Sequence, residues 1–185
     1  MCHERCVSER QARYVRQAIE DRMSQVGLQL HPEKTRIVYC KDGSRKGEHE
    51  HTAFTFLGFT FQARGARRKD GSIFTSFLPA VSKKALKRMS AAVRSWRLHR
   101  RTGHSLVELA GLLNPIIRGW MAYYGTFYRS GLYSLLSRIN AYILRWIRRK
   151  YERLRPFAKA KAAWKRIITR IPALFAHWRW CTSAW

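Results

Sequence analysis

The sequence predicts an α+β fold: a small antiparallel β region with one helix, followed by a mostly α-helical bundle. Three observations predict it. Aromatic residues cluster at strand-like spacing between residues 53 and 61, before the turn signal Asp70-Gly71. From Ser82 onward, apolar residues recur every three or four positions. A 46% share of hydrophobic residues with 13% aromatics belongs to a globular chain, not a disordered one.

Residues 8–26 read as an amphipathic helix. Ser8 and Gln11 form a capping box, Ala12, Val15, Ile19, Met23 and Val26 recur at helical spacing, and Gly27 stops it. After a His31-Pro32 turn, Thr35 to Cys40 is rich in β-formers and reads as a strand. Residues 41–51 are a polar loop or hairpin tip. Residues 53–61 read as a strand whose alternation slips at Gly58, which implies a bulge or a close backbone approach. Asp70-Gly71 leads to its partner, Ser72 to Leu78, and Pro79 closes the region.

The helical half begins with Ser82 as N-cap to a helix carrying Leu86, Met89, Val93 and Trp96, ending at Thr102-Gly103. Ser105-x-x-Glu108 is a second capping box, opening a short helix through Leu113. Asn114-Pro115 then reads as a restart, with Asn as N-cap and Pro at the first helical position. Gly125 and Gly131 bracket a turn. Residues 132–151 give the clearest helix, with Leu132, Leu135, Leu136, Ile139, Tyr142, Ile143 and Trp146 on one face. Pro156 starts a last helix bearing Trp164, Ile167 and Ile168, and Pro172 stops it. The tail from Phe175 to Trp185 is short and aromatic.

Charge is the outlying property. The net charge is +26 on 185 residues, and such a chain repels itself unless a polyanion or counterions neutralise it. The charge is uneven: residues 82–171 hold 22 Lys/Arg against Glu108 and Glu152 alone. Phosphate backbones are the natural partner, bound with release of counterions. In the helix around residue 140, Arg138, Arg145 and Arg149 form a stripe about 16 Å long at 1.5 Å per residue, extended by Arg148, Lys150, Arg153 and Arg155. Arg94, Arg97, Arg100 and Arg101 crowd the end of the helix read over 82–101, beside His99, and Arg118 joins them from the helix after Pro115. The bland alternative is a set of solvated faces favoured by C-terminal helix dipoles, but acidic partners are nearly absent. Trp96, Trp120, Trp146 and Trp164 fall at core positions; Tyr123, Tyr124, Tyr128 and Trp178 are the candidates for stacking on bases.

Cys2-His3-x-x-Cys6 lacks a second Cys/His pair at finger spacing, so no metal site is expected. The four cysteines read as reduced thiols of a cytoplasmic protein. No apolar run reaches the roughly 18 residues of a transmembrane helix, and Met1 to Arg5 lacks the apolar region of a signal peptide. Basic helices with apolar faces can lie on membranes, but these faces are broad enough to need one another as a core, so no membrane partner is expected.

Four strings resemble one family. Gly27-Leu28-Gln29-Leu30-His31-Pro32-Glu33-Lys34-Thr35 resembles the segment after the catalytic Asp pair of group II intron reverse transcriptases. Phe56-Leu57-Gly58-Phe59 looks like their primer-grip strand. Leu113-Asn114-Pro115-Ile116-Ile117-Arg118-Gly119-Trp120-Met121-Ala122-Tyr123-Tyr124 is similar to the signature of their maturase-specific region. Phe175-Ala176-His177-Trp178 resembles a common C-terminal ending. The resemblance implies a palm remnant over 1–81, a helical thumb and maturase-specific domain over 82–151, and the end of the maturase region over 152–185. It places Lys34 near the leaving pyrophosphate; its plain alternative is a salt-bridging turn residue. The signature residues are Asn114, Pro115, Gly119, Trp120, Tyr123 and Tyr124.

The chain departs from that family where chemistry is concerned. Polymerisation there uses carboxylates that hold two Mg²⁺ ions about 4 Å apart, with a Tyr-x-Asp-Asp string just upstream of the position equivalent to Val7. Here Asp21, Asp42 and Asp70 are isolated. Against that family the chain is expected to lack the fingers and most of the palm, with Met1 to Cys6 resembling a shortened strand leaving that site, and to carry no endonuclease segment after Trp185. The chain alone is therefore expected to have no catalytic residue and no bound cofactor, Mg²⁺ belonging only to the complete reverse transcriptase. The leading expectation is an RNA-binding maturase fragment that stabilises group II intron RNA for splicing, the RNA itself supplying catalysis; DNA or an RNA–DNA hybrid is a further partner to weigh. The alternatives are the C-terminal part of a split or frameshifted RNA-directed DNA polymerase, completed by a second chain carrying fingers and palm, and a non-functional gene remnant.

Overall fold

Helix α1 (Glu9–Gln25) starts where Ser8 accepts a hydrogen bond from the Gln11 N–H at 3.2 Å. The expected capping box is displaced by one residue, because the Gln11 side chain accepts from the Val7 N–H, not from that of Ser8. Glu9 pairs with Arg13 one turn on at 2.6 Å. The helix ends in a Schellman motif: Leu28 N–H reaches the Met23 carbonyl, Gly27 N–H reaches that of Ser24, and Gly27 takes φ +74°. None of its residues is buried. The computed structural model describes residues 6–44, 47 and 49–184, so the expectation placed on Met1 to Arg5 lies outside the described residues.

Thr35 to Cys40 forms no strand. Its Tyr39 N–H donates to the His51 carbonyl at 2.8 Å, but no ladder is built on that bond. β-propensity needs a partner edge to become a strand. The sheet has three antiparallel strands in the order β1 (Ala53–Phe56), β2 (Phe59–Arg67), β3 (Ile73–Val81). The slip at Gly58 is not a bulge in one strand. Leu57 (φ 48°) and Gly58 (φ 82°) both have positive φ, the mark of a two-residue hairpin turn whose twist suits the flanking strands. The β2–β3 connection uses Asp70-Gly71 as expected, with the Asp70 carboxylate accepting from both Ser72 groups. β3 runs past Pro79 to Val81, because an edge strand tolerates a residue with no N–H.

Ser82 caps α2 (Lys83–Ser95) by accepting from the Ala85 N–H. This helix ends six residues before the expected Arg101: Arg97 adopts φ 47° and Leu98–Arg100 is a 3-10 turn. A left-handed residue cannot continue a helix. The reciprocal Ser105–Glu108 capping box opens α3 as expected. In contrast, α3 (Leu106–Tyr124) is one helix with Pro115 inside it, not two helices parted at Asn114. The expected N-cap Asn114 faces the interior. α4 (Tyr133–Lys150) and α5 (Phe157–Arg170) follow, and Ala176–Arg179 is a further 3-10 turn.

The chain divides into two compact units, Met1–Phe54 with Gln62–Phe77, and Thr55–Phe61 with Leu78–Trp185. The core of the second unit is built from α2 to α5. Val93, Leu109, Ile117, Leu136, Ile139, Ile143 and Trp146 are fully buried there. At its centre Asn140 uses all four of its hydrogen-bonding positions. Its amide donates to the Cys181 and Ser183 carbonyls, and its oxygen accepts from His177 Nε2 and Trp178 Nε1.

Candidate nucleic-acid interface

The apolar residues of α4 repeat at 3.6-residue spacing, and burying that stripe turns the opposite side outward. Arg138, Arg145 and Arg149 are exposed there. Arg148 Nε donates to the Arg155 carbonyl at 2.8 Å, and its guanidinium lies 6.0 Å from the Phe157 ring. Arg145 lies 5.4 Å from the ring of Tyr142. These contacts orient two long side chains that would otherwise lose entropy on binding an anion.

The 3-10 turn Leu98–Arg100 brings His99 to the same place. Leu98 is buried, and the buried Trp146 of α4 donates its Nε1–H to the Arg101 carbonyl at 2.9 Å. The result is an open cleft of about 600 Å³ lined by His99, Arg145, Arg148, Arg149 and Arg155. Four guanidinium groups and an imidazole surround one opening, and planar guanidinium forks match the geometry of phosphate oxygens. Glu152 is 3.7 Å from Arg155, an exposed pair worth little. The other acid of this region, Glu108, is committed to its cap. The Ser105 backbone N–H it accepts holds its carboxyl below the usual carboxylate range.

The remaining basic candidates lie apart from this cleft's lining. Arg94 sits exposed on α2, Arg97 at the left-handed break, Arg100 on the 3-10 turn and Arg118 on α3. Arg101 Nε donates to the Trp96 carbonyl at 3.1 Å, closing the end of α2. Lys150 is half-buried; its ammonium donates to the His104 carbonyl and lies 5.3 Å from the Trp146 ring. A single helix over 82–101 would place Arg94 to Arg101 on consecutive turns, an arrangement the break at Arg97 removes. The site candidates also omitted the cations early in α2. Lys83, Lys84, Lys87 and Arg88 share a 13-residue helix that has no acid, a signal present in the sequence.

Four of the six signature residues make contacts within the unit. The Asn114 amide donates to the Leu174 carbonyl at 2.9 Å, and its oxygen accepts from the Ala176 N–H at 2.8 Å. Pro115 and Gly119 are exposed. Trp120 stacks on Trp96 with ring centres 5.7 Å apart. Tyr123 donates its hydroxyl to the Leu57 carbonyl at 2.9 Å. Tyr124 is buried with its hydroxyl against Gly58, where an added Cβ would come within 2.8 Å. Phe59 packs against Tyr123, Tyr124 and Phe127. The primer-grip-like Phe56, Leu57, Gly58 and Phe59 thus form a hairpin turn clasped by two tyrosines. The close approach expected at Gly58 is real. Trp178 is buried with its indole N–H bonded to Asn140, so it offers no face to a base.

Lys34 is exposed in the His31 turn and makes no ion pair among the described residues. Asp21, Asp42 and Asp70 do not gather into one cluster. Asp21 accepts from Gln17, Asp42 from Ser44 and Asp70 from Ser72, each within its own local turn. No group of three His, Cys, Asp or Glu residues converges among the described residues; Cys2 and His3 lie outside them. No helix among the described residues is long and apolar enough to cross a membrane. Residues 86–167 match the family model described as Group II intron, maturase-specific domain. No curated protein and no solved structure matches the chain.

Proposed function

We propose that the chain binds group II intron RNA through the arginine cleft and stripe of α4, a reading that starts from the match of residues 86–167 to the group II intron maturase-specific domain. The domain supports a maturase role in splicing. The observation that carries the finer reading is the cleft lined by Arg145, Arg148, Arg149, Arg155 and His99. Deep RNA grooves resist reading by side chains, so recognition falls on phosphates and shape. A protein that binds only the folded intron shifts the RNA toward that fold by its differential affinity. No protein carboxylate takes part in this reading, and the chain acts as a binder, not a polymerase.

Titrating the purified chain with intron RNA at several salt concentrations tests it. Affinity should fall steeply with salt and exceed that for an unrelated RNA of equal length. Arg145→Gln with Arg149→Gln should lower the log–log salt slope by about two, one for each phosphate contact removed. Equal affinity for both RNAs would reduce the claim to nonspecific binding.

A second reading makes the chain one half of a split reverse transcriptase. What favours it is α1, which buries none of its residues, with Val26 and Leu28 more than half exposed just beyond it. A reading frame encoding Tyr-x-Asp-Asp immediately upstream would support this assembly, and unrelated DNA there would remove it.

A further inference from the structure

A second opening lies between α2 and α3, and its chemistry differs from that of the arginine cleft. Arg88, Met89 and Ala92 of α2 and Trp120, Tyr123 and Tyr124 of α3 line a notch of about 370 Å³. Two of its lining residues, Met89 and Tyr124, are buried and fixed in the core. Its aromatic walls are held in place. Trp120, half-buried, is stacked on Trp96 with planes 11° apart and still lines the notch. Tyr123 is 48% exposed, yet its hydroxyl is fixed by the Leu57 carbonyl and its ring by Phe59 and Tyr124. Accessible rings without rotational freedom lose little entropy when a flat ligand settles on them.

Charge identifies the ligand. Arg88 is exposed at the notch, Lys84 stands one turn before it, and α2 carries Lys83, Lys87 and Arg94 besides, with no acid. An apolar protein segment filling the notch would satisfy the rings but desolvate Arg88 without pairing it. A nucleotide satisfies both. We infer that an unpaired nucleobase of the bound RNA enters this notch and stacks on Trp120 and Tyr123, with its phosphate on Arg88. This rests on the RNA-binding reading and adds to it a site for a splayed-out base. Base–aromatic stacking tolerates any sequence, because every base has a π-face, so the site selects single-stranded positions over paired ones.

The test uses the full chain and two RNAs of equal length and charge, one carrying 2-aminopurine at a single-stranded position and one abasic there. The 2-aminopurine emission should be quenched on binding, and the abasic RNA should bind about tenfold more weakly, within the range that stacking supplies. Trp120→Leu and Tyr123→Leu should lose the quench. Tyr123→Phe, which keeps the ring and drops the hydroxyl, should retain it. Arg88→Gln should weaken both RNAs alike. Equal binding of both RNAs with no quench in the unaltered chain overturns the notch and leaves RNA binding standing. A quench that survives both leucine variants places the base elsewhere and also overturns it. No binding of either RNA overturns the RNA-binding reading itself.

Discussion

His177 is fully buried, and its Nε2 donates to the Asn140 oxygen at 2.6 Å, which leaves Nδ1 as a buried nitrogen with no partner. Protonation would add a charge at that nitrogen, away from water, so burial pushes its pKa down to about 4. The unfolded chain titrates near 6.5. Between those values the unfolded state takes up a proton that the folded state refuses, so stability is complete above about pH 6.5 and falls as pH drops toward 4. The loss should approach about 3 kcal/mol. Thermal melts across that window should show it, and His177→Gln should flatten the slope; an unchanged slope in the variant would assign the acid sensitivity to other groups. Single residues divide sharply in how far the sequence exposed them. The close approach at Gly58 was legible, because a glycine between phenylalanines in a strand pattern needs a reason. The burial of Tyr124 and Trp178 was not, because an aromatic at the end of a helix reads the same whether it faces a base or a core. Only the Asn140 and Gly58 contacts, made across long stretches of chain, decide it.

Helices were legible at their starts and less so at their ends. Ser82 and the Ser105–Glu108 box cap as their sequence says, since capping is local. Asn114-Pro115 carries the same local signal yet sits inside α3, because Leu109, Leu113, Ile117 and Met121 bury one continuous face across it. A proline in a helix interior costs about 3 kcal/mol, so tertiary packing must exceed that. Part of the excess is Asn114 itself, whose amide secures the Leu174 carbonyl and the Ala176 N–H. Asn114→Ala would leave both backbone groups without partners, at about 1–3 kcal/mol each. For a chain of this size that lowers the melting temperature by roughly 4–24 °C. Hydrogen exchange at residues 174–180 should accelerate beyond that at α4. If exchange there matched the rest of the unit, Asn114 would not be the anchor of the tail. The strand expected at Thr35 to Cys40 failed for the complementary reason: a β-rich run without a neighbouring edge has nowhere to place its hydrogen bonds.

Over the whole molecule the plainest property, +26 on 185 residues, was the most legible, while its arrangement was not. Count and position of the arginines are written in the sequence. That Arg97 breaks a helix, or that His99 joins Arg145 and Arg149 at one cleft, depends on how Leu98 and Trp146 pack. Two carboxylates cannot neutralise the 22 cations of residues 82–171, so the folded state carries self-repulsion that the expanded chain partly escapes. Salt and RNA relieve it by different routes, and their effects must diverge. Adding salt to the free chain screens the repulsion and should raise its melting temperature. RNA at about 100 times its dissociation constant should stabilise by about 2.7 kcal/mol, a shift of roughly 5–11 °C at this size. Raising salt in the presence of RNA weakens phosphate contacts and should shrink that shift even as the baseline climbs. Melts over a grid of salt and RNA concentrations separate the two trends. If the RNA-induced shift grew with salt, apolar contacts rather than phosphates would dominate binding, and the arginine cleft would not be its seat.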